Sequence, residues 1–112
     1  MLRDTFLEID FDQLHHNLDQ IEEELNHTPI MAVLKGNAYG HGASAMAEAL
    51  EERGITSFAV ATLNEALSLR KSTQSRILIF GPTPKRLYAY LFQGDLVQSI
   101  GSYEEGAALL EI

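Results

Sequence analysis

Short apolar segments recur along this chain of 112 residues, and turn-forming residues bound each of them. Each segment has five residues, a length typical of strands and too short for most helices. Segments that are almost wholly apolar predict strands buried on both faces, as in parallel sheets. The four candidates are Ile30–Leu34, Ser57–Ala61, Arg76–Phe80 and Leu96–Ile100, of which the last is the weakest.

Helical patterns fill the intervals between these strands. A first helix is predicted after Asp10, and a second over Ala43–Arg53 with Gly54 ending it. Residues that favour helix caps open each helical interval except the second, which follows Gly42. The predicted caps and their partners are Asp10 with Gln13, Thr62 with Glu65, Thr83 before Pro84, and Ser102 with Glu105. Thr5–Asp10 is predicted to be a further short strand in which Phe6 and Ile9 are buried.

The alternation of strand and helix predicts an α/β fold with parallel strands and right-handed crossovers. Two architectures satisfy this pattern, a doubly wound sheet and a (β/α)8 barrel. No Gly-x-Gly-x-x-Gly string follows the first strand, which disfavours a dinucleotide-binding sheet. Pattern alone leaves the choice open.

Composition excludes several functional classes. The net charge of −8 disfavours nucleic acid and anionic membrane surfaces, both of which require a basic patch. No apolar run approaches the ~20 residues of a membrane span, and the first residues lack a signal-peptide core. The absence of cysteine excludes disulfides and Cys-based zinc sites, and the histidines form no metal-binding pattern. We therefore expect a soluble cytoplasmic protein without a metal.

A single lysine ends the first apolar segment. Lys35 follows Leu34 directly, and the turn residues Asn37, Gly40 and Gly42 come after it. Ligands of α/β proteins bind at the carboxyl ends of parallel strands, and an amine on such an edge can form a Schiff base with an aldehyde. A lysine in this position is more commonly a solvated strand end, so position alone does not establish chemistry.

The eleven residues around this lysine resemble a family signature. Ala32–Gly42 has the sequence AVLKGNAYGHG, which resembles the A-V-x-K-A-N-A-Y-G-H-G string of alanine racemases, the fold-type III enzymes that use pyridoxal 5′-phosphate. Gly36 stands where alanine is usual, and we expect a more mobile turn without loss of the chemistry. The segment FLEIDFDQLHHNL, from Phe6 to Leu18, is similar to the family's opening, so the resemblance spans nearly the whole chain.

This resemblance implies a partial (β/α)8 TIM barrel. A complete barrel takes about 250 residues, so residues 1–112 would be a single segment, about the first half of it. The carboxyl-terminal β domain of the family would be absent. An incomplete barrel leaves open sheet edges, so a homodimer or a larger assembly is expected.

The resemblance also implies the chemistry. Lys35 would hold pyridoxal 5′-phosphate as a Schiff base and act as the base on the D side of the substrate, and Tyr39 would contact the cofactor phosphate. Asn37 and His41 are assigned to shaping the loop. The second base of the family, a tyrosine of the carboxyl-terminal domain, is missing here, so the isolated chain is expected to be inactive.

The substrate implied by the resemblance is a small amino acid, L- or D-alanine. One alternative is a serine and alanine racemase domain of the vancomycin-resistance type, which shares the signature. The other is a folded module with no activity of its own.

Overall fold

The computed structural model of the protein describes residues 4–112. By the density of its contacts the chain divides into two compact units, the first ending at Ile30 and the second running from Met31 to Ile112. No helix in this described part is long and apolar enough to cross a lipid bilayer.

The first unit contains one helix, α1 (Phe11–Glu24). Asp10 caps it as predicted, because its carboxylate accepts a hydrogen bond from Gln13 N–H at 3.1 Å. The side chain of Gln13 does not complete the predicted capping box and donates instead to Asn17 at 2.8 Å. Helix α1 ends at a turn in which Asn26 and His27 have positive φ.

The strand predicted at Thr5–Asp10 was wrong. These residues form no regular structure, and Phe6 is 73% exposed. A strand requires a neighbour to accept and donate its backbone hydrogen bonds. Within residues 4–112 no such neighbour pairs with this segment, so the alternating pattern alone does not make a strand.

The second unit is built on a four-stranded parallel sheet. The strands are β1 (Ala32–Val33), β2 (Ser57–Val60), β3 (Arg76–Ile79) and β4 (Val97–Gln98). They lie in the order of the chain, each beside its predecessor. All four predicted strands are therefore confirmed, although each is one to three residues shorter than its apolar segment.

This strand order decides between the two candidate architectures. A doubly wound sheet reverses direction at a switch point, which places the first strand between later ones. Here β1 and β4 are the two outer strands, and every crossover advances by one strand, as in a (β/α)8 barrel. The structure is an α/β segment with four of the eight strands of such a barrel.

Four helices follow the strands of this sheet. They are α2 (Ala43–Glu51), α3 (Leu63–Arg70), α4 (Tyr88–Gln93) and α5 (Tyr103–Leu110), and a 3₁₀ turn at Lys85–Leu87 precedes α4. The capping box of Thr62 and Glu65 forms as predicted at the start of α3. Ser102 caps α5, whereas its partner Glu105 accepts from Gly101 N–H at 2.9 Å.

The predicted cap at Thr83 was wrong. Pro84 precedes the 3₁₀ turn without any side-chain cap, and the Thr83 hydroxyl donates to Gln98 Oε1 at 2.6 Å. The Thr83 hydroxyl therefore binds the side chain of Gln98 on the neighbouring strand and does not bind a backbone amide of the helix. This contact joins residues that are 15 positions apart, so local sequence patterns cannot predict it.

The two faces of the sheet differ in their burial. One face carries Phe58, Val60, Ile77 and Ile79, all at most 1% exposed. The other carries Val33, Ala59, Leu78 and Val97 in register, and Val33 is 37% exposed. Burying an apolar side chain stabilises the fold by about 1.5–3 kcal/mol, so most of the core energy lies on the first face.

Candidate active site at the carboxyl end of the sheet

Lys35 lies where β1 ends. Leu34 N–H donates to Ala59 O at 2.8 Å, which extends the pairing of β1 with β2 by one residue beyond Val33. Lys35 comes next and is exposed, and within residues 4–112 its amine makes no hydrogen bond or ion pair. Lys35 thus lies at the carboxyl edge of a parallel sheet, where the sequence placed it, and its side chain is exposed.

The segment after Lys35 is a left-handed helical turn. Gly36, Asn37, Ala38 and Tyr39 have φ between 55° and 62°, and Ala38 N–H donates to Leu34 O at 2.9 Å. The sequence predicted a loop here, whereas Lys35–Tyr39 is a short helical turn that is left-handed from Gly36 onwards. The turn begins after β1 has ended at Val33.

This turn stores backbone strain. A left-handed helical conformation costs roughly 1–2 kcal/mol for each L-residue, and glycine alone adopts it freely. Three of the four residues carry a side chain, among them the bulky Tyr39. Strain of this kind persists only where surrounding contacts impose it, and it concentrates at functional sites.

Polar contacts with the residues that follow it hold the left-handed turn in place. Asn37 Oδ1 accepts from Ala43 N–H at 2.8 Å, and Asn37 O accepts from Gly42 N–H at 2.9 Å. His41 Nδ1 lies 3.1 Å from Tyr39 O. The expected loop-shaping contributions of Asn37 and His41 are confirmed, and Asn37 also binds the first amide of α2.

A carboxylate from the first turn of α3 also holds the left-handed turn. Glu65 Oε2 accepts from Gly36 N–H at 2.6 Å, although the two residues are 29 positions apart. Glu65 Oε1 accepts from Ala61 N–H at 2.8 Å and from Thr62 N–H at 3.2 Å. The sequence identified Glu65 only as a capping residue, since no local signal indicates its contact with Gly36.

Tyr39 is 63% exposed at the end of the turn. It lies four residues after Lys35, which is about one helical turn. The other tyrosines of this unit are distributed as packing and surface residues, since Tyr88 is buried while Tyr90 and Tyr103 are 47% and 86% exposed.

A second polar group, which the sequence did not reveal, lies at the ends of β3 and β4. Gln98 Nε2 donates to Gly81 O at 2.7 Å and to Ser99 O at 2.8 Å, while Gln98 Oε1 accepts from Thr83. All hydrogen-bonding atoms of this amide are used. The group therefore joins the ends of two neighbouring strands.

The residues present fit an aldehyde cofactor. An exposed, unpaired primary amine is the group that condenses with a carbonyl, and the exposed hydroxyl of Tyr39 can donate to a phosphate. A metal ion has no comparable site, since no three His, Asp or Glu side chains in residues 4–112 are grouped to hold one.

Fold and site together define a segment of a (β/α)8 barrel that presents a lysine at a strand end. The family described as "Alanine racemase, N-terminal domain" matches residues 9–112. The chain therefore belongs to the alanine racemase family, and the resemblance seen in the sequence is confirmed.

Individual relatives support this assignment. Alanine racemase 1 of Caldanaerobacter subterraneus subsp. tengcongensis is 44% identical over 101 residues, which are 88% of this chain and 26% of the relative. An amino-acid racemase of Enterococcus faecalis is 43% identical over 104 residues, or 91% of this chain and 15% of the relative. The solved alanine racemase of Clostridium difficile 630 in complex with cycloserine superposes with a TM-score of 0.91 at 31% identity, covering 99% of this chain and 30% of that one.

The chain thus spans between about one seventh and three tenths of the length of these relatives. The similarity covers the strand-end lysine and the four strands described above. Activity, substrate and assembly are properties of the whole protein and extend beyond that similarity.

Proposed function

We propose that this chain forms part of a pyridoxal 5′-phosphate-dependent racemase that interconverts L- and D-alanine. The observation that carries the proposal is the exposed, unpaired amine of Lys35 at the carboxyl end of β1, in a chain that belongs to the alanine racemase family. When bound, this cofactor withdraws electrons from the α-carbon of an amino acid and so makes its α-proton removable.

Lys35 has two roles in this proposal. Its amine binds the cofactor aldehyde covalently, for which the neutral form is required. Once released, the same amine removes or returns the α-proton on the D side of the substrate. An amine held at a strand end by a hydrogen-bonded turn reaches both positions with little loss of conformational freedom.

Tyr39 is proposed to bind the cofactor phosphate. Its side chain is exposed and belongs to the same turn as the lysine, so one structural element would hold both ends of the cofactor. A phenolic O–H donor suits a phosphate oxygen without adding charge.

Borohydride trapping tests the lysine assignment. The purified chain is incubated with pyridoxal 5′-phosphate and reduced, and peptide mass spectrometry then compares label on Lys35, Lys71 and Lys85, its three lysines. We expect most of the label on Lys35, none there in Lys35→Ala, and a lower yield in Tyr39→Phe. Equal labelling of all three lysines would contradict the proposal.

Turnover is the second arm of this experiment. The family's second base belongs to the portion of its members that this chain does not cover, so the 112 residues alone should not convert D-alanine or D-serine. Turnover that Lys35→Ala abolishes would show that this chain supplies both bases. A longer protein containing this chain should racemise alanine, and preference for serine would favour the alternative racemase class.

A further inference from the structure

Glu65 makes more contacts than helix capping requires. A glutamate at the third position of a helix ordinarily accepts a hydrogen bond from the cap residue alone. Glu65 accepts from Thr62 N–H in this way, but also from Ala61 N–H and Gly36 N–H. Amides from the ends of two neighbouring strands therefore converge on one carboxylate.

The comparison with Glu105 shows that the contact with Gly36 is separate from capping. Glu105 occupies the same position in α5, where Ser102 is the cap. Its carboxylate accepts from Gly101 N–H at 2.9 Å, which lies only four residues away. Glu105 thus binds only an amide beside its own helix start, whereas Glu65 also reaches a segment 29 residues earlier.

The amide that Glu65 holds belongs to the peptide bond joining Lys35 to Gly36. On the other side of the lysine, Leu34 N–H is bound to Ala59 O. The backbone of Lys35 is therefore held on both sides, by β2 and by Glu65 in the first turn of α3. Hydrogen bonds to a charged acceptor are about twice as strong as neutral ones, which suits a turn that is strained.

We propose that Glu65 is the positioning residue of Lys35: its carboxylate fixes the left-handed turn to the end of β2 and thereby sets the direction of the lysine amine. The inference rests on the proposed function of Lys35. It assigns to Glu65 no contact with substrate or cofactor. Its action passes through Gly36 alone.

The first test measures the turn without any cofactor. Hydrogen exchange of the amides from Gly36 to Gly40 is compared in wild type, Glu65→Ala and the matched control Glu105→Ala. We expect exchange in the turn to become at least about tenfold faster in Glu65→Ala, because a charge-assisted hydrogen bond is lost. The amides of β3 should be unchanged, which shows that the fold persists.

Glu65→Asp is the second variant, in case Glu65→Ala does not fold. It keeps a carboxylate beside the start of α3 but lacks the reach to Gly36, so it should reproduce the faster exchange of the turn. Unchanged exchange of the turn in a folded Glu65 variant would overturn the proposal.

Borohydride trapping with pyridoxal 5′-phosphate then tests positioning of the amine. The share of label on Lys35, relative to Lys71 and Lys85, should fall about fivefold or more in the Glu65 variants and remain at the wild-type value in Glu105→Ala. Faster exchange with an unchanged share on Lys35 would overturn the positioning role and leave the proposed function intact. A wild-type chain without preference for Lys35 would overturn the proposed function, and the exchange data alone would then decide whether Glu65 holds the turn.

Discussion

The backbone of Gly36 explains why a glycine is tolerated beside the lysine. Its φ is +62°, and an added Cβ would meet no atom within 4 Å. Substitution would therefore change backbone strain without creating a clash. The sequence suggested that glycine would make this turn more mobile, whereas the observed conformation is one that glycine adopts without cost.

Replacement of Gly36 by alanine should destabilise the chain. We expect Gly36→Ala to lower the free energy of unfolding by about 1 kcal/mol, since left-handed strain outweighs the reduced entropy of the unfolded chain. Urea denaturation measures this change. The matched control is Gly101→Ala, whose φ is not positive and whose nearest contact would be 3.9 Å, so its effect should stay within about 0.5 kcal/mol. Equal effects of the two substitutions would contradict the strain argument.

Among the elements, α3 has a charged side chain at each end, and each binds backbone groups at a different end of the sheet. Glu65 in its first turn binds amides at the carboxyl ends of β1 and β2. Arg70 in its last turn donates to Ser75 O at 2.6 Å and to Gly94 O at 2.8 Å, beside the starts of β3 and β4. In (β/α) barrels chemistry occurs at the carboxyl end and stability depends on the other, so these two residues have different expected roles.

Loss of Arg70 should reduce stability without affecting the lysine. Arg70 also donates to Thr73 O and Asp95 O, so four carbonyl groups would lose their partner in Arg70→Ala. We expect a loss of about 2–3 kcal/mol in urea denaturation, with labelling of Lys35 by pyridoxal 5′-phosphate unchanged in the folded fraction. Arg70→Lys should recover little, because an ammonium lacks the fork of donors.

The control for this prediction is Arg86→Ala. Arg86 is exposed in the 3₁₀ turn before α4, so its replacement should change stability by less than about 0.5 kcal/mol. If Arg70→Ala is no more destabilising than this control, its hydrogen bonds contribute little to the fold.

At the scale of the whole molecule, an open apolar surface lies beside the last strand. A cleft of about 630 Å³ between α4, β4 and α5 is lined mainly by apolar side chains. Around it, Phe92 is 58% exposed, Tyr103 86% and Leu110 89%. A contiguous apolar surface of this kind favours association.

The chain should therefore form dimers or larger assemblies through a second copy of itself. Burial of the cleft removes apolar surface from water, which is the main favourable contribution to most protein association. Light scattering measures the mass in solution, and the double variant Phe92→Glu/Leu110→Glu should shift it towards the monomer. Ala89→Glu, on the same helix but outside the cleft lining, should leave the mass unchanged. A monodisperse wild-type monomer would contradict this prediction.

Local patterns were sufficient to locate the strands, most helix caps and the lysine at a strand end. Apolar segments and helix caps depend on residues within a few positions of one another, so the sequence alone predicts them. The caps at Asp10, Thr62 and Ser102 are examples. The same information failed at Thr5–Asp10, where alternation suggested a strand but no strand within residues 4–112 pairs with it.

Four other features depend on contacts between segments that are distant in the sequence. The order of the strands, the left-handed turn, the bond from Gly36 to Glu65 and the pairing of Thr83 with Gln98 arise only when the folded chain brings these segments together. Hydrogen bonds depend on the distance and angle between two atoms, and their separation along the chain does not enter. The sequence therefore located Lys35 at a strand end, whereas only the tertiary structure shows which hydrogen bonds hold its backbone in place.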